Sequence, residues 1–391
     1  MSLKSRFCCG FVTSHRDIVF HISPRVAQML SNRPSDIIFH KINFFLRDGT
    51  EIKQPTRTNI HILSAWKSST LTSYNSAVTK FIQFQKSGGI ISFRLPITGK
   101  TLEEFCIWAG RNAVTSNAGK ISASSLRKYI AGLKAWHVYH DVAFPTVNKT
   151  RIDLILKASS REDETLTKQP AKSPIMFWHM SYLWVNLVHG DDFDKALLDL
   201  AIVAFWGLAR LAELTYATGG GVLDFVSSVL TTDVTLGADA VFGETATLTL
   251  RNTKTGQPGR PQLVTLAEQK HVLCPVTAIR RRLSSAEGSR TSLFGYGSGE
   301  RRRHLTRTQS VARLESVLAS GGFTGLKGHS FRVGGASFRA AFGMSHADIC
   351  LLGRWKSDCY KLYLREYSSG DLSKTKALVK QFKRSWTRME S

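Results

Sequence analysis

Residues 159–174 read SSREDETLTKQPAKSP, a run with Pro170 and Pro174 and almost no apolar side chain. A stretch like this has too little to bury to join a core, so it reads as an interdomain linker. It limits the chain to two separately folded parts, one on each side. At 391 residues the sequence also exceeds a usual single domain. We place a helical domain at residues 61–165, a linker at 166–175 and a second domain at 176–391. Residues 1–60 mix short apolar pieces with Pro24, Pro34 and Pro55, and read as an extension with no assigned role.

The first domain is legible from its periodicity. Tyr74, Ala77, Val78, Phe81, Ile82 and Phe84 recur near the helical repeat until Gly88 and Gly89 stop them. LEEFCIWAGR and SASSLRKYIAGLKAWHVYHD follow the same rule, with Leu126, Ile130, Leu133 and Trp136 on one face of the latter. The polar faces are basic, Arg127 and Lys128 among them.

Past the linker, IMFWHMSYLWVNLVHG and DKALLDLAIVAFWGLARLAELTYA read as helices. The alternating runs TTDVTLGA, ETATLTLRN and PQLVTLA then read as a small antiparallel sheet. Helices resume at PVTAIRRRLSS, so the fold class is mainly α with one small antiparallel sheet.

Charge restricts the partners. Lys and Arg number 53 against 29 acidic residues, a formal charge of +24, which repels itself unless it meets a polyanion. Nucleic acid is the usual one; an acidic membrane surface or acidic protein is the alternative. Arg301, Arg302 and Arg303 form a dense cluster that we assign to DNA contact, along with Arg127 and Lys128. Cys8, Cys9, Cys106, Cys274, Cys350 and Cys359 show neither a CxxC pair nor zinc spacing, and read as free thiols of a reducing compartment. The start MSLKSRFCCGFVTSHRD shows no secretory signal, and its lack of early acids leaves organelle targeting open. The most apolar run, Ala196 to Ala209, is broken by Asp199 and falls short of the roughly 18–20 residues that span a bilayer, so no membrane association is expected.

Several residues carry chemistry. Arg210 lies in GLARLAEL, where an unpaired guanidinium would be costly; Glu213 is one turn on and can hold it. Lys254 occupies the turn NTKTGQPG between two expected strands. In GHSFRVGGAS, His329 and Arg332 share a face at a helix start, whose free N–H groups suit phosphate. Gly334, Gly335, Ala336 and Ser337 let that helix pack closely on its neighbours. Ser345 and Asp348 cap a short helix that Gly353 ends, Trp355 follows, and Ser357 opens another helix bearing Tyr360, Tyr363 and Tyr367. Periodicity alone does not choose among these tyrosines. Arginines, a histidine, a lysine and one phenol converging are what metal-free cleavage of a phosphodiester needs.

In order, spacing and identity the set resembles the tyrosine recombinase family. GHSFRVGGAS and LLGRWKSD are most similar to transposon-borne members of the Crypton and DIRS groups. The resemblance spans residues from about 60 to 390, with specific motifs only after 197. It implies a helical core-binding domain and a mixed catalytic domain closing on DNA as a C-shaped clamp. It further implies that Arg210 and Arg332 clamp the phosphate, with Glu213 fixing the first fork. Lys254 donates a proton to the departing 5′ oxygen, His329 is general acid or base, and Trp355 offers its ring N–H. The nucleophile is Tyr363, followed by Leu364 and Arg365 as members commonly show an aliphatic and a basic residue there. Tyr363 lies eight residues after Trp355 where many bacterial members show nine, which keeps Tyr360 as second candidate.

The implied reaction cuts and rejoins DNA through a 3′-phosphotyrosine and a Holliday junction, with no cofactor, metal or ATP. The implied partner is double-stranded DNA bearing recombination sites. The implied assembly is a homo-tetramer on DNA, from a protein that can be monomeric when free, and the implied location in a eukaryote is the nucleus. A type IB topoisomerase-like nicking-closing enzyme and a domesticated, non-catalytic DNA-binding protein are the alternatives. Finally, Leu378, Val379, Phe382 and Trp386 form one stripe on a terminal helix, which either closes its own domain or, as we expect from the family's habit, docks on a neighbouring subunit.

Overall fold

The computed structural model describes residues 39–390 apart from 115–117, 147, 167–172, 252, 254, 255, 257 and 258. The chain divides into two compact units, residues 1–169 and 170–391.

The first unit is helical: α1 (Arg57–Leu63), α2 (Ser68–Ser87), α3 (Gly99–Ala109), α4 (Ala123–Tyr139) and α5 (Lys149–Thr165). Side-chain oxygens set three of the starts, with Thr56, Thr98 and Ser122 accepting from the backbone three residues on. Phe81, Phe105 and Trp136 fill its core. Residues 39–60 are not all extension. Ile42, Phe45 and Leu46 are buried in this core, and the Phe44 and Phe45 N–H groups both donate to Asn75 Oδ1 at 2.9 Å. The mixed composition hid this because a single 3-10 turn, Phe39–Ile42, carries no periodicity. Residues to Thr165 complete α5, where Asp163 takes Arg111 at 2.6 Å and the Ala123 N–H at 2.8 Å.

The second unit buries Ile175 fully, a residue expected in the linker. It holds α6 (Phe177–Leu187), α7 (Asp192–Trp206), the single turn α8 (Leu211–Leu214), β1 (Val234–Asp239), β2 (Gly243–Leu250) and β3 (Gln262–Ala267). There follow α9 (Pro275–Ser284), a two-stranded ribbon of β4 (Gly295–Tyr296) and β5 (Arg303–His304), α10 (Arg307–Ser320), α11 (Ser330–Ala341), α12 (His346–Gly353) and α13 (Ser369–Glu390). The fold is thus mainly helical with small antiparallel sheets. The three-stranded sheet runs β1-β2-β3, pairing Val234 with Leu248 and Leu248 with Val264. Ala246, Leu248, Leu250, Val264 and Leu266 turn inward from it, the period-two pattern of a sheet with one covered face.

Almost every side chain of α7 is buried, Asp199 included. Its carboxylate meets two arginines of α9, Arg281 Nε at 3.0 Å and Arg282 Nε at 2.7 Å. Burial pushes Asp199 up, and the two guanidinium groups oppose that. The terminal helix α13 lays Leu378, Val379 and Phe382 on the core of its own unit, with Phe382 5.9 Å from the Phe177 ring. The apolar face around Phe177 and Trp184 thus covers Phe382 within the unit. No helix among the described residues is long and apolar enough to cross a membrane.

Helix α11 lies directly on backbone. A Cβ at Gly334 would stand 2.0 Å from the Ile175 carbonyl oxygen, and one at Gly335 2.1 Å from that of Phe205. Gly335→Ala should therefore lower unfolding stability in urea by about 1–3 kcal/mol or more, because backbone cannot step aside as a side chain would. A stability equal to wild type would contradict this packing.

Candidate active site

The site gathers at three places where helices break. Helix α7 does not continue through Arg210 as its apolar pattern suggests; it stops at Trp206, and Leu208 takes a left-handed backbone with φ of 45°. That turn frees the Leu208 carbonyl, which accepts from Arg332 Nη1, and sets Arg210 at the start of α8. There Arg210 donates to Glu213 twice, from Nη1 to Oε1 at 2.6 Å and from its backbone N–H to Oε2 at 3.0 Å.

The second break is the start of α11. His329 is its N-cap, and Arg332 lies one turn in, 0 % exposed. Arg332 donates to two carbonyls, Leu208 and Gly353, and forms no ion pair with a carboxylate among the described residues. Its guanidinium carbon sits 4.3 Å from the Trp355 ring centroid and 5.8 Å from that of Tyr363. Burial, with the like charges of Arg210 and Arg354, pulls Arg332 down to about 10, while Glu213 and Tyr363 pull it up. It stays cationic at neutral pH.

The third break follows α12. Gly353 is its last residue, and Arg354, not the glycine, takes the left-handed position with φ of 57°. The missing Cβ of Gly353 serves another end, since one there would overlap Trp355 Cζ3 at 1.8 Å. Ser357 then opens a 3-10 turn, Asp358–Leu362, without capping it by its side chain. The three tyrosines therefore do not line one α-helix. Tyr363 ends the turn with its ring 4.9 Å from His329 and 5.1 Å from Trp355. Tyr360 faces His346 instead, at 5.6 Å, and Tyr367 is largely buried, which pushes its phenol up. Ser337 of α11 braces this segment: its hydroxyl accepts the Arg365 N–H at 2.9 Å and shares its proton between the Val333 carbonyl at 2.8 Å and the Tyr363 carbonyl at 3.2 Å.

Of the residues singled out in the sequence, Arg210, Glu213, His329, Arg332, Trp355 and Tyr363 come together. Lys254, in the connection between β2 and β3, lies outside the described residues. Arg127 and Lys128 are exposed on α4, and Arg301 and Arg303 are exposed in the second unit. Arg302 is corrected: its guanidinium turns inward and donates to the carbonyls of Ser285, Ser292 and Gly297 at 2.8, 2.9 and 3.2 Å, so it braces a loop instead of facing solvent. The basic run at α9 is structural as well, with Arg280 on Glu244 at 2.7 Å and its two neighbours on Asp199. Sequence reading missed Arg354, whose Nη2 donates to Glu213 Oε2 at 2.9 Å. Its only signal was an arginine directly after the glycine of LLGRW.

Burial alone would push the Glu213 carboxyl up, yet Arg354 and Arg210 hold it below its ordinary 4.5. A carboxyl depressed on folding adds stability in full above its unfolded value, and loses it as pH falls through the folded one. Glu213→Gln should cost about 3–5 kcal/mol at pH 7, because it strands buried charge. In urea titrations the gap between variant and wild type should close as pH drops below 4.5. A gap constant down to acid pH would show that Glu213 carries no depressed titration.

The sequence matches no protein-family model and no curated protein. Among solved structures, the XerH site-specific recombinase bound to a palindromic difH substrate, a post-cleavage complex, shares 11% identity at a TM-score of 0.51, over 83% of this chain and 89% of that one. The pre-cleavage XerH complex with difH shares 12% identity over 87% of this chain and 95% of that one, at a TM-score of 0.49. A lambda integrase dimer bound to a COC′ core site shares 14% over 90% and 84%, at 0.48. In fold, this chain is similar to the site-specific recombinase of the post-cleavage complex.

Proposed function

We propose that this protein is a tyrosine recombinase, a metal- and ATP-independent DNA strand transferase. The observation that carries the reading is the position of Tyr363, whose ring lies against His329, Trp355 and the Arg332 guanidinium at once. A phenol among fixed cationic and ring N–H donors is placed to attack a phosphodiester whose charge those donors neutralise. Two features support DNA as the substrate: the excess of 53 basic over 29 acidic residues, and the DNA-bound state of the XerH recombinase that shares the fold.

In this mechanism Arg210 and Arg332 bind the non-bridging oxygens of the scissile phosphate, and Glu213 fixes the Arg210 fork. His329 moves the phenol proton and Trp355 directs its ring N–H at the phosphate; its Nε1 is buried and meets no acceptor among the described residues. Tyr363 Oη forms the bond to phosphorus as the bond to the 5′ oxygen breaks, and Lys254 supplies that oxygen's proton. The phosphodiester energy is kept in the 3′-phosphotyrosine, and a 5′-hydroxyl of a second duplex reverses the step. Strand exchange then passes through a Holliday junction in a homo-tetramer assembled on paired sites. By its resemblance to Crypton and DIRS enzymes, the protein mobilises or integrates a transposable element in a nucleus.

A pool of nicked duplexes that trap cleaved product tests this, because covalent complexes survive denaturing gels. Wild type should capture DNA and Tyr363→Phe should capture none, while affinity changes by less than about threefold, since phosphate contacts supply most of it. Tyr360→Phe should still capture; loss there with capture by the Tyr363 variant would reassign the nucleophile.

Chelation gives an independent check. Capture should persist in EDTA without nucleotide, because arginines supply the charge that Mg²⁺ supplies in two-metal nucleases. Loss on chelation, restored by Mg²⁺, would sink the mechanism.

A further inference from the structure

Glu213 is gripped from two sides. Arg210 Nη1 meets Oε1 at 2.6 Å, and Arg354 Nη2 meets Oε2 at 2.9 Å. Two guanidinium groups thus share one carboxylate, and the trio keeps a net positive charge. Arg354 is an expensive residue to place there. Its side chain is only 9% exposed, its backbone is left-handed, and its Nε and Nη1 are buried without an acceptor among the described residues. A pair serving stability alone is replaceable by apolar packing at little loss, whereas strain and unspent donors concentrate at functional sites.

We propose that Arg354 is a positioning residue for phosphodiester cleavage, acting through Glu213 to hold the Arg210 fork. Arg210 spends one Nη and its backbone N–H on Glu213, which leaves the rest of its guanidinium for phosphate oxygens. The direction of that free edge depends on where the carboxylate stands. With Oε1 and Oε2 claimed by different arginines, the carboxylate cannot rotate; without Arg354, Oε2 keeps only the Arg210 N–H. Arg354 also follows Gly353, whose carbonyl accepts from Arg332, so one turn of backbone sets both phosphate-directed arginines. The inference rests on the reading of this site as a phosphodiester-cleaving centre.

The test uses full-length protein and the nicked duplex captured by wild type. Arg354→Ala should lower the first-order rate of covalent capture at saturating DNA by about 10–100-fold, the scale of a small misplacement of a reacting group. Its DNA affinity should stay within about threefold, as expected for a loss confined to the transition state. Added guanidinium ion should restore part of the rate, and Glu213→Gln/Arg354→Ala should be no slower than Glu213→Gln alone. A wild-type rate in Arg354→Ala, a loss confined to affinity, or multiplying effects in the double variant would each overturn the proposal. Should Arg354→Ala fail to fold, Arg354→Gln carries the same test with the same outcomes. Failure of wild type to capture any duplex overturns the recombinase reading and this role with it; normal wild-type capture with an unaffected Arg354 variant overturns this role alone.

Discussion

The contact between α11 and the backbone of its own unit sets the site. Gly334 and Gly335 put this helix against the carbonyls of Ile175 and Phe205, closer than any Cβ permits. At that distance Arg332 has no way out to solvent, and its charge is met by carbonyls. Leu208 and Gly353 provide them, each at a point where a helix has just ended. A carbonyl at a helix end has no partner within the helix, so these breaks are what make the buried arginine tolerable. Because Leu208 precedes Arg210 by two residues and Gly353 precedes Trp355 by two, satisfying Arg332 also brings the other groups to it.

Electrostatics explains why the site remains receptive to an anion. Burial first, and then the like charges of Arg210 and Arg354, pull Arg332 down to about 10, and Glu213 answers only part of that charge. Elsewhere in the unit the account is different. Arg281 and Arg282 are matched to Asp199, Arg313 to Asp194, and Arg302 to three carbonyls. Part of this unit's basicity is therefore internal bracing.

The helices around Phe81, Phe105 and Trp136 were legible because apolar spacing and cap residues act locally, within one or two turns. The sheet was legible for the same reason, through alternation in β2 and β3. The burial of Ile42 and Phe45 was not, since irregular backbone carries no period, and its hydrogen bonds go to Asn75, thirty residues on. Nor was the end of α7 at Trp206 visible inside an unbroken apolar run. Helix propensity favours continuing, and the cost of the left-handed Leu208 is met by Arg332, more than a hundred residues away.

By itself the sequence determined two helix-rich parts, one with a small antiparallel sheet, and a list of cations, a histidine, a tryptophan and tyrosines suited to phosphodiester chemistry. These follow from composition and short-range pattern, which neighbouring residues settle among themselves. Tertiary structure decided which tyrosine faces Arg332, which arginines brace the fold, and that Arg354 joins Glu213. Those outcomes depend on directions set by chain breaks at Leu208, His329 and Arg354. Each break is stabilised by partners distant in sequence, so no local pattern could announce it.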